Sequence, residues 1–177
     1  MTNPPEVGDG PDGVDQIESE WSRERPDVDV SSIGIVTRIW RVGRHLERER
    51  NALLAEWGAD RAVVDILGML RRSGAPYIRS AGDLSEHALI TSGGVSQRLE
   101  KLEKAGLVVR DVDTDDRRRV LVQLTPVGAQ LIDSVLADVV HRENDALSAA
   151  LDVHELDELR VLLRKLLTAF ESPKRLG

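Results

Sequence analysis

Residues 108–125 constrain the fold most, because they predict a tight β-hairpin with three consecutive arginines at its turn. β-forming residues flank a turn that is rich in aspartate, at positions 113–116. On such a ribbon Arg117, Arg118 and Arg119 add little to packing, but they can reach phosphates or a narrow minor groove of DNA. Taken alone, the segment favours the simpler interpretation of a solvated charged loop.

Two short helices are predicted immediately upstream of this hairpin. The first begins after Ser80, and Asp83 completes a variant of the capping box. After a break, a second helix begins at Thr91 or Ser92 and ends before Gly106. Helix, short turn, helix and hairpin is the order of a winged helix-turn-helix, which favours the DNA-binding interpretation of the arginines.

The second helix has two unlike faces. At about 100° per residue, Val95, Leu99 and Leu102 form one apolar stripe. The opposite face carries small or amide residues first and lysines later, which suits base edges and then flanking phosphates. Arg98 lies about 60° from the stripe's centre, toward the interior, and needs a partner other than DNA. The predicted DNA-binding residues of this helix are Thr91, Ser92, Gly93, Gly94, Ser96, Gln97, Lys101 and Lys104.

The net charge of −7 does not exclude a nucleic-acid partner. Residues 1–30 contain nine acidic and two basic side chains, a net of −7, so residues 31–177 sum to zero. Residues 91–125 contain seven basic and six acidic side chains. DNA binding would therefore depend on where the arginines lie rather than on a broad basic field.

Composition and motifs exclude several other classes. No apolar run approaches the roughly 18 residues of a membrane span, and the N-terminus is acidic where a secretory signal would be basic, so a cytoplasmic protein is expected. The absence of cysteine excludes thiol sensors and cysteine-ligated zinc. No phosphate-binding loop, serine elbow or HExxH motif is present, so an enzyme is not expected and no catalytic residue is predicted. A metal-responsive regulator stays an alternative through four scattered histidines, His45, His87, His141 and His154.

The chain contains more helix than one winged domain needs. Residues 1–13 should be disordered and acidic, 14–30 should form an extra helix and a linker, and 59–125 should form the winged helix-turn-helix. The long helices predicted in 31–58 and 126–171 have apolar faces that need a cover, and a second subunit is the economical one. We therefore predict a mainly α fold with a small β-wing and a helical dimerisation layer.

This order of elements, with LEKAGLV at 102–108 and DDRRRVLVQLTPVG at 115–128, resembles the MarR family of bacterial transcription regulators over roughly residues 31–171. The resemblance implies a homodimeric, ligand-responsive repressor that binds a pseudo-palindromic operator with half-sites about 10 bp apart. The family's wing pattern, Asp-x-Arg before a strand ending in Leu-Thr, falls on Asp116, Arg118, Leu124 and Thr125. It implies that Arg118 enters the minor groove and that Asp116 orients it.

A narrower likeness concerns Trp21, Asp65, Arg98 and Arg110. This set is similar to the urate-responsive branch of the family, which has an extra N-terminal helix bearing a tryptophan. It implies a small anionic effector such as urate, because a planar amide-rich anion suits a stacking ring, guanidinium donors and one carboxylate. The alternatives are that Trp21 only anchors the extra helix, that Asp65 and Arg98 form a simple ion pair, and that Arg110 contacts phosphate. Another metabolite could also use these groups.

Overall fold

The computed structural model describes residues 10–87 and 92–172. It confirms a mainly helical fold with one small antiparallel sheet. The elements of these residues are, in chain order, α1 (Gly13–Glu24), α2 (Ser31–Glu56), α3 (Arg61–Arg72), β1 (Ile78–Ser80), α4 (Ala81–His87), α5 (Ser92–Lys104), β2 (Val108–Val112), β3 (Val120–Leu124), α6 (Pro126–Ala150) and α7 (Val153–Glu171). None of the helices in this described part is long and apolar enough to cross a membrane.

The chain divides into two compact units. We call residues 43–139 the central unit, and residues up to Val42 together with those from Val140 onward the helical unit. The central unit holds the segments α3 to β3, and the helical unit holds α1 and α7.

The core of the central unit seals one face of α5 against the sheet. The strands lie in the order β1-β3-β2, and β3 pairs antiparallel with both neighbours. Val95, Leu99 and Leu102 are each at most 2% exposed, which confirms the predicted stripe. Burying a side chain of this kind contributes about 1.5–3 kcal/mol, so the packing holds α5 firmly. The other buried members of this core are Ile66, Leu67, Leu70, Leu84, Val108, Val122, Leu124 and Ile132.

Local capping sets where the helices of the central unit begin. The Ser80 hydroxyl accepts a hydrogen bond from the Asp83 backbone N–H at 3.0 Å, and the Asp83 carboxylate accepts one from the Ser80 N–H at 3.4 Å. This confirms the predicted capping box, and the Ser80 hydrogen bond is the main reason that the pKa of Asp83 lies below its usual value. At α3 the N-cap is Asp60, whose carboxylate accepts from the Val63 N–H at 2.9 Å.

The start of α6 is fixed against the chain that enters β2. The Thr125 hydroxyl accepts from the Gly128 N–H at 3.0 Å and donates to the carbonyl of Gly106 at 2.8 Å. A Cβ at Gly128 would lie only 2.1 Å from the carbonyl oxygen of Leu107. Glycine is therefore required here by close packing.

In the helical unit, α1 is fastened to α2 by one arginine. Arg38 Nη2 lies 3.0 Å from Asp12 Oδ1 and 2.7 Å from Asp15 Oδ1. Asp12 is also the N-cap of α1, and Val14 beside it is 1% exposed. The Arg38 guanidinium holds the pKa values of Asp12 and Asp15 below their usual range. By contrast, α7 has no buried residue.

Candidate DNA interface and effector residues

The wing is a compact hairpin with a tight turn. Val112 pairs with Val120 across the two strands, and the Asp113 N–H donates to the carbonyl of Arg119 at 3.0 Å. Inside the turn the Arg119 N–H donates to the carbonyl of Asp116 at 2.8 Å. These bonds hold the three arginines at the end of a short ribbon.

The three arginines of the wing have different environments. The Arg118 side chain is 93% exposed, and its Nε lies 3.3 Å from Asp116 Oδ1, which also accepts from the Arg118 backbone N–H at 3.0 Å. The structure thus contains the contact between Asp116 and Arg118 that the wing pattern implies. Arg119 Nη1 lies 3.8 Å from Asp113 Oδ2, and the Asp113 side chain is only 15% exposed. Arg117 is exposed as well, and Arg119 differs from Arg118 because its ion-pair partner, Asp113, is largely buried.

The predicted outward face of α5 is exposed but less basic than its lysines suggest. Ser96, Gln97 and Lys101 are exposed, and Gly94 is half-buried. Lys104 Nζ donates to Glu100 Oε1 at 2.6 Å, which lowers the pKa of Glu100 and neutralises much of the lysine's charge locally. Among the other predicted residues, Thr91 lies outside the described residues, and of Ser92 and Gly93 only the helical backbone is described.

Arg98 lies on the recognition helix yet is turned inward, as the helical projection predicts. Its side chain is 30% exposed, and its Nη2 lies 3.6 Å from Asp60 Oδ2. Its Nε is buried and finds no hydrogen-bond partner among the described residues. Because Asp60 is the N-cap of α3, this long ion pair connects the start of α3 with α5.

The alternative of an ion pair between Asp65 and Arg98 is wrong. Asp65 Oδ2 lies 3.9 Å from Arg61 Nε, one helical turn away on α3, and the Asp65 side chain is 40% exposed. The carboxylate at the N-cap reaches Arg98, whereas Asp65 lies on a more open face of the same helix. The sequence did not single out Asp60, although its position as an N-cap aspartate is visible there.

Arg110 on β2 is already engaged by a carboxylate. Its Nε donates to Glu103 Oε2 at 2.9 Å, and its Nη2 donates to the same oxygen. The guanidinium lowers the pKa of Glu103, and Glu103 raises the pKa of Arg110. A phosphate contact by Arg110 would have to compete with Glu103. The sequence pattern did not predict this partner.

Trp21 belongs to α1 of the helical unit, and its side chain is 48% exposed. The other three candidate effector residues belong to the central unit. In residues 10–87 and 92–172 no three acidic or histidine side chains come close enough together to hold a metal ion. His141 lies 3.4 Å from Asp145, and His154 lies 3.6 Å from Glu158, each one turn along its own helix.

Known proteins similar to this chain agree on its family. The MarR family model matches residues 57–119, which include α3 to the turn of the wing. The transcriptional regulator PecS of Dickeya dadantii is 35% identical over 150 residues, covering 85% of this chain and 90% of PecS.

Two solved structures share the fold. NadR in complex with 4-hydroxyphenylacetate has a TM-score of 0.58 and 28% identity, covering 75% of this chain and 91% of NadR. The complex of MepR from S. aureus with DNA has a TM-score of 0.63 and 21% identity, covering 76% of this chain and 97% of MepR. With the winged fold and the likeness to PecS, these findings show that the chain belongs to the MarR family of DNA-binding transcription regulators, which are not enzymes.

Proposed function

We propose that the protein is a cytoplasmic, homodimeric repressor that binds a pseudo-palindromic operator and leaves it when a small planar anion binds. The observation that carries the ligand response is the inward-turned Arg98, whose buried Nε has no hydrogen-bond partner among the described residues and whose contact to Asp60 is long. Bound across a promoter, such a protein blocks transcription, and release by the ligand restores it.

Sequence readout is assigned to the exposed face of α5 and to the tip of the wing. Ser96 and Gln97 meet base edges in the major groove, Lys101 and Lys104 contact phosphates, and Arg118 enters the minor groove. The exposure of Arg118 supports this role, because a guanidinium that is 93% exposed loses little packing when it binds DNA. The remaining proposed contacts are Thr91, Ser92, Gly93, Gly94, Asp116, Arg117 and Arg119.

Dimerisation is assigned to the helices of residues 31–58 and 126–171. Apolar side chains of α7 are exposed in the single chain, and large exposed apolar patches mark interaction surfaces. Two copies related by a two-fold axis would present their recognition helices to half-sites about 10 bp apart. The exposed apolar residues of α7 are Val153, Leu159, Val161, Leu162, Leu163, Leu166, Leu167 and Phe170.

The effector is a small planar anion, and urate is the leading candidate. Arg98 offers a buried donor that has no partner in residues 10–87 and 92–172, and a charge-assisted hydrogen bond to an anion would satisfy it. The family likeness, rather than the geometry, assigns the other three members of the group: Arg110 as a second guanidinium, Asp65 as the acceptor of a ring N–H, and Trp21 as the stacking ring. NadR was crystallised with an aromatic carboxylate, 4-hydroxyphenylacetate, which supports this ligand class and keeps other aromatic acids as alternatives to urate.

An anion beside Arg98 would couple to DNA through Asp60. It would compete with this carboxylate for the guanidinium and so weaken the link between the start of α3 and α5. A small shift of the recognition helix then spoils the half-site geometry, and the operator is released.

The test is a titration of an operator complex with urate, xanthine and 4-hydroxyphenylacetate, using a duplex that the parent protein selects from random DNA. At least one of the three should release DNA from the parent at micromolar to millimolar concentration, whereas Arg98→Ala should bind DNA but ignore the ligand. Arg164→Ala on α7 removes the same charge elsewhere and should respond like the parent. A parent whose DNA affinity is unmoved by all three compounds contradicts the effector assignment, and a response to zinc reversed by chelator would favour the metal alternative.

A further inference from the structure

An open cavity lies where α3, β1 and α4 meet in the central unit. Its volume is about 370 Å³, and Met69, Arg72, Arg79 and Asp83 line it. None of these residues belongs to the proposed base-reading face or to the effector group. The cavity therefore needs its own explanation.

The two arginines of the cavity are not held by a partner among the described residues, whereas the neighbouring Arg71 is. Arg71 donates two hydrogen bonds to Asp133 at 2.8 and 3.0 Å, and its guanidinium carbon lies 4.8 Å from the centre of the Tyr77 ring. Arg72 and Arg79 are exposed and make no hydrogen bond or ion pair with any described residue. Two adjacent arginines of one helix thus differ: Arg71 fastens α3, whereas Arg72 is left available.

The one carboxylate of the cavity does not balance both arginines. Asp83 is hydrogen-bonded to Ser80 at the start of α4, and one carboxylate carries only half the charge of two guanidinium groups. Its pKa is lowered first by Ser80 and only to a lesser degree by the charges of Arg119 and Arg79. The cavity wall therefore keeps a positive excess, which suits an oxyanion held by two guanidinium groups.

The position of the cavity points to the source of that oxyanion. Arg79 is paired with Val122 on β3, the strand that returns from the wing, and the next residues form α4, the first helix of the helix-turn-helix. In helix-turn-helix proteins the first helix crosses the DNA backbone while the second enters the major groove. A backbone phosphate is therefore the oxyanion that this place in the fold would meet.

We propose that Arg72 and Arg79 form a phosphate-binding site that holds one backbone phosphate of bound DNA. The site rests on DNA binding by the winged helix-turn-helix and is independent of the proposed effector. Because it reads no base, it sets the register and orientation of the protein on DNA and adds affinity for every sequence.

The test compares Arg72→Ala/Arg79→Ala with the parent on two 30-bp duplexes, one selected from random DNA by the parent and one of scrambled sequence. The double variant should bind both duplexes about tenfold more weakly near 0.1 M salt. The magnitude of the slope of log K against log salt should decrease by about 0.9, as for one lost phosphate contact. Arg72→Lys/Arg79→Lys should recover most of the slope, because lysine keeps the charge. Arg164→Ala/Lys165→Ala removes two positive charges from α7 and controls for net charge. Thermal unfolding should match the parent, because neither Arg72 nor Arg79 makes a hydrogen bond or ion pair within the described residues.

A free anion could occupy the same site, and a second arm identifies it. If the DNA slope of the double variant equals that of the parent, but millimolar inorganic phosphate raises the melting temperature of the parent and not of the variant, the oxyanion is a free one. If neither the DNA slope nor the phosphate stabilisation changes, the site does not exist. Arg118→Ala on the same duplexes separates the two failures: weaker binding there with an unchanged double variant removes only this site.

Discussion

The two units of this chain differ in how much of their apolar surface is buried. In the central unit Ile66, Leu70 and Leu84 are 0% exposed, and the faces of α5 and the sheet are closed by their own chain. In the helical unit α7 has no buried residue, and Phe170 is 84% exposed. One chain closes the core of the central unit, and the exposed apolar residues of α7 support our proposal that a second copy completes the helical unit.

A charge placed on α7 should have the largest effect. Leu163→Asp should convert the dimer to monomers and lower operator affinity by more than about 100-fold, because a charge buried at an apolar interface is very costly. Lys165→Asp, two residues along the same helix, should leave the dimer intact. Sedimentation velocity at micromolar concentration measures both variants, and a Leu163→Asp protein that is still dimeric would remove α7 from the interface.

Two glycines of the central unit differ in the space available for a single added methyl group. Gly128→Ala should lower the free energy of unfolding by about 3 kcal/mol, because its Cβ would meet the carbonyl oxygen of Leu107 at 2.1 Å. At Gly43 on α2 no atom lies within 4 Å of the added Cβ, so Gly43→Ala should raise the free energy by about 0.5–1 kcal/mol. Chemical denaturation measures both variants, and equal changes in the free energy of unfolding would contradict close packing at Gly128.

Within the central unit, two adjacent arginines of the wing have different expected roles: Arg118 binds DNA, whereas Arg119 stabilises the turn. Arg118→Ala should weaken operator binding by about 1–3 kcal/mol without changing stability, because its side chain is almost fully exposed. Arg119→Ala should cost less affinity and should instead increase hydrogen exchange in the wing, because Arg119 lies against Asp113. If both variants bind operator like the parent at matched salt, the wing does not contact DNA.

The smallest expected effect is the response of α1 to acid. Because the pKa values of Asp12 and Asp15 are lowered in the folded protein, their pairing with Arg38 stabilises α1 fully above pH 4. That contribution is lost as pH falls through the lowered values, so the protection factors of the α1 amides, taken relative to the intrinsic exchange rate at each pH, should fall below about pH 4. In Arg38→Ala the protection factors should be lower at neutral pH and should change less across this range, because only the capping hydrogen bonds of Asp12 and Asp15 remain. A variant with the parent's profile would contradict this role of Arg38.

Local signals in the sequence predicted the elements well. The stripe of Val95, Leu99 and Leu102, the capping box at Ser80 and the aspartate-rich turn of the wing each depend on neighbouring residues only. The partners of Arg98 and Arg110 were not predicted. The packing of the folded chain, rather than a local sequence signal, brings Asp60 to Arg98 and Glu103 to Arg110. The sequence pattern also did not show that Arg71 has an ion-pair partner while Arg72 has none among the described residues. Asp133, the partner of Arg71, lies on α6, 62 residues further along the chain.

Whether a second copy completes the helical unit is decided by the mass of the parent protein in solution and on DNA. Sedimentation equilibrium at micromolar concentration should give twice the chain mass of 19.6 kDa, and the complex with a selected 30-bp duplex should contain two chains. A stable, folded species of 19.6 kDa that binds the duplex one chain at a time would contradict the account.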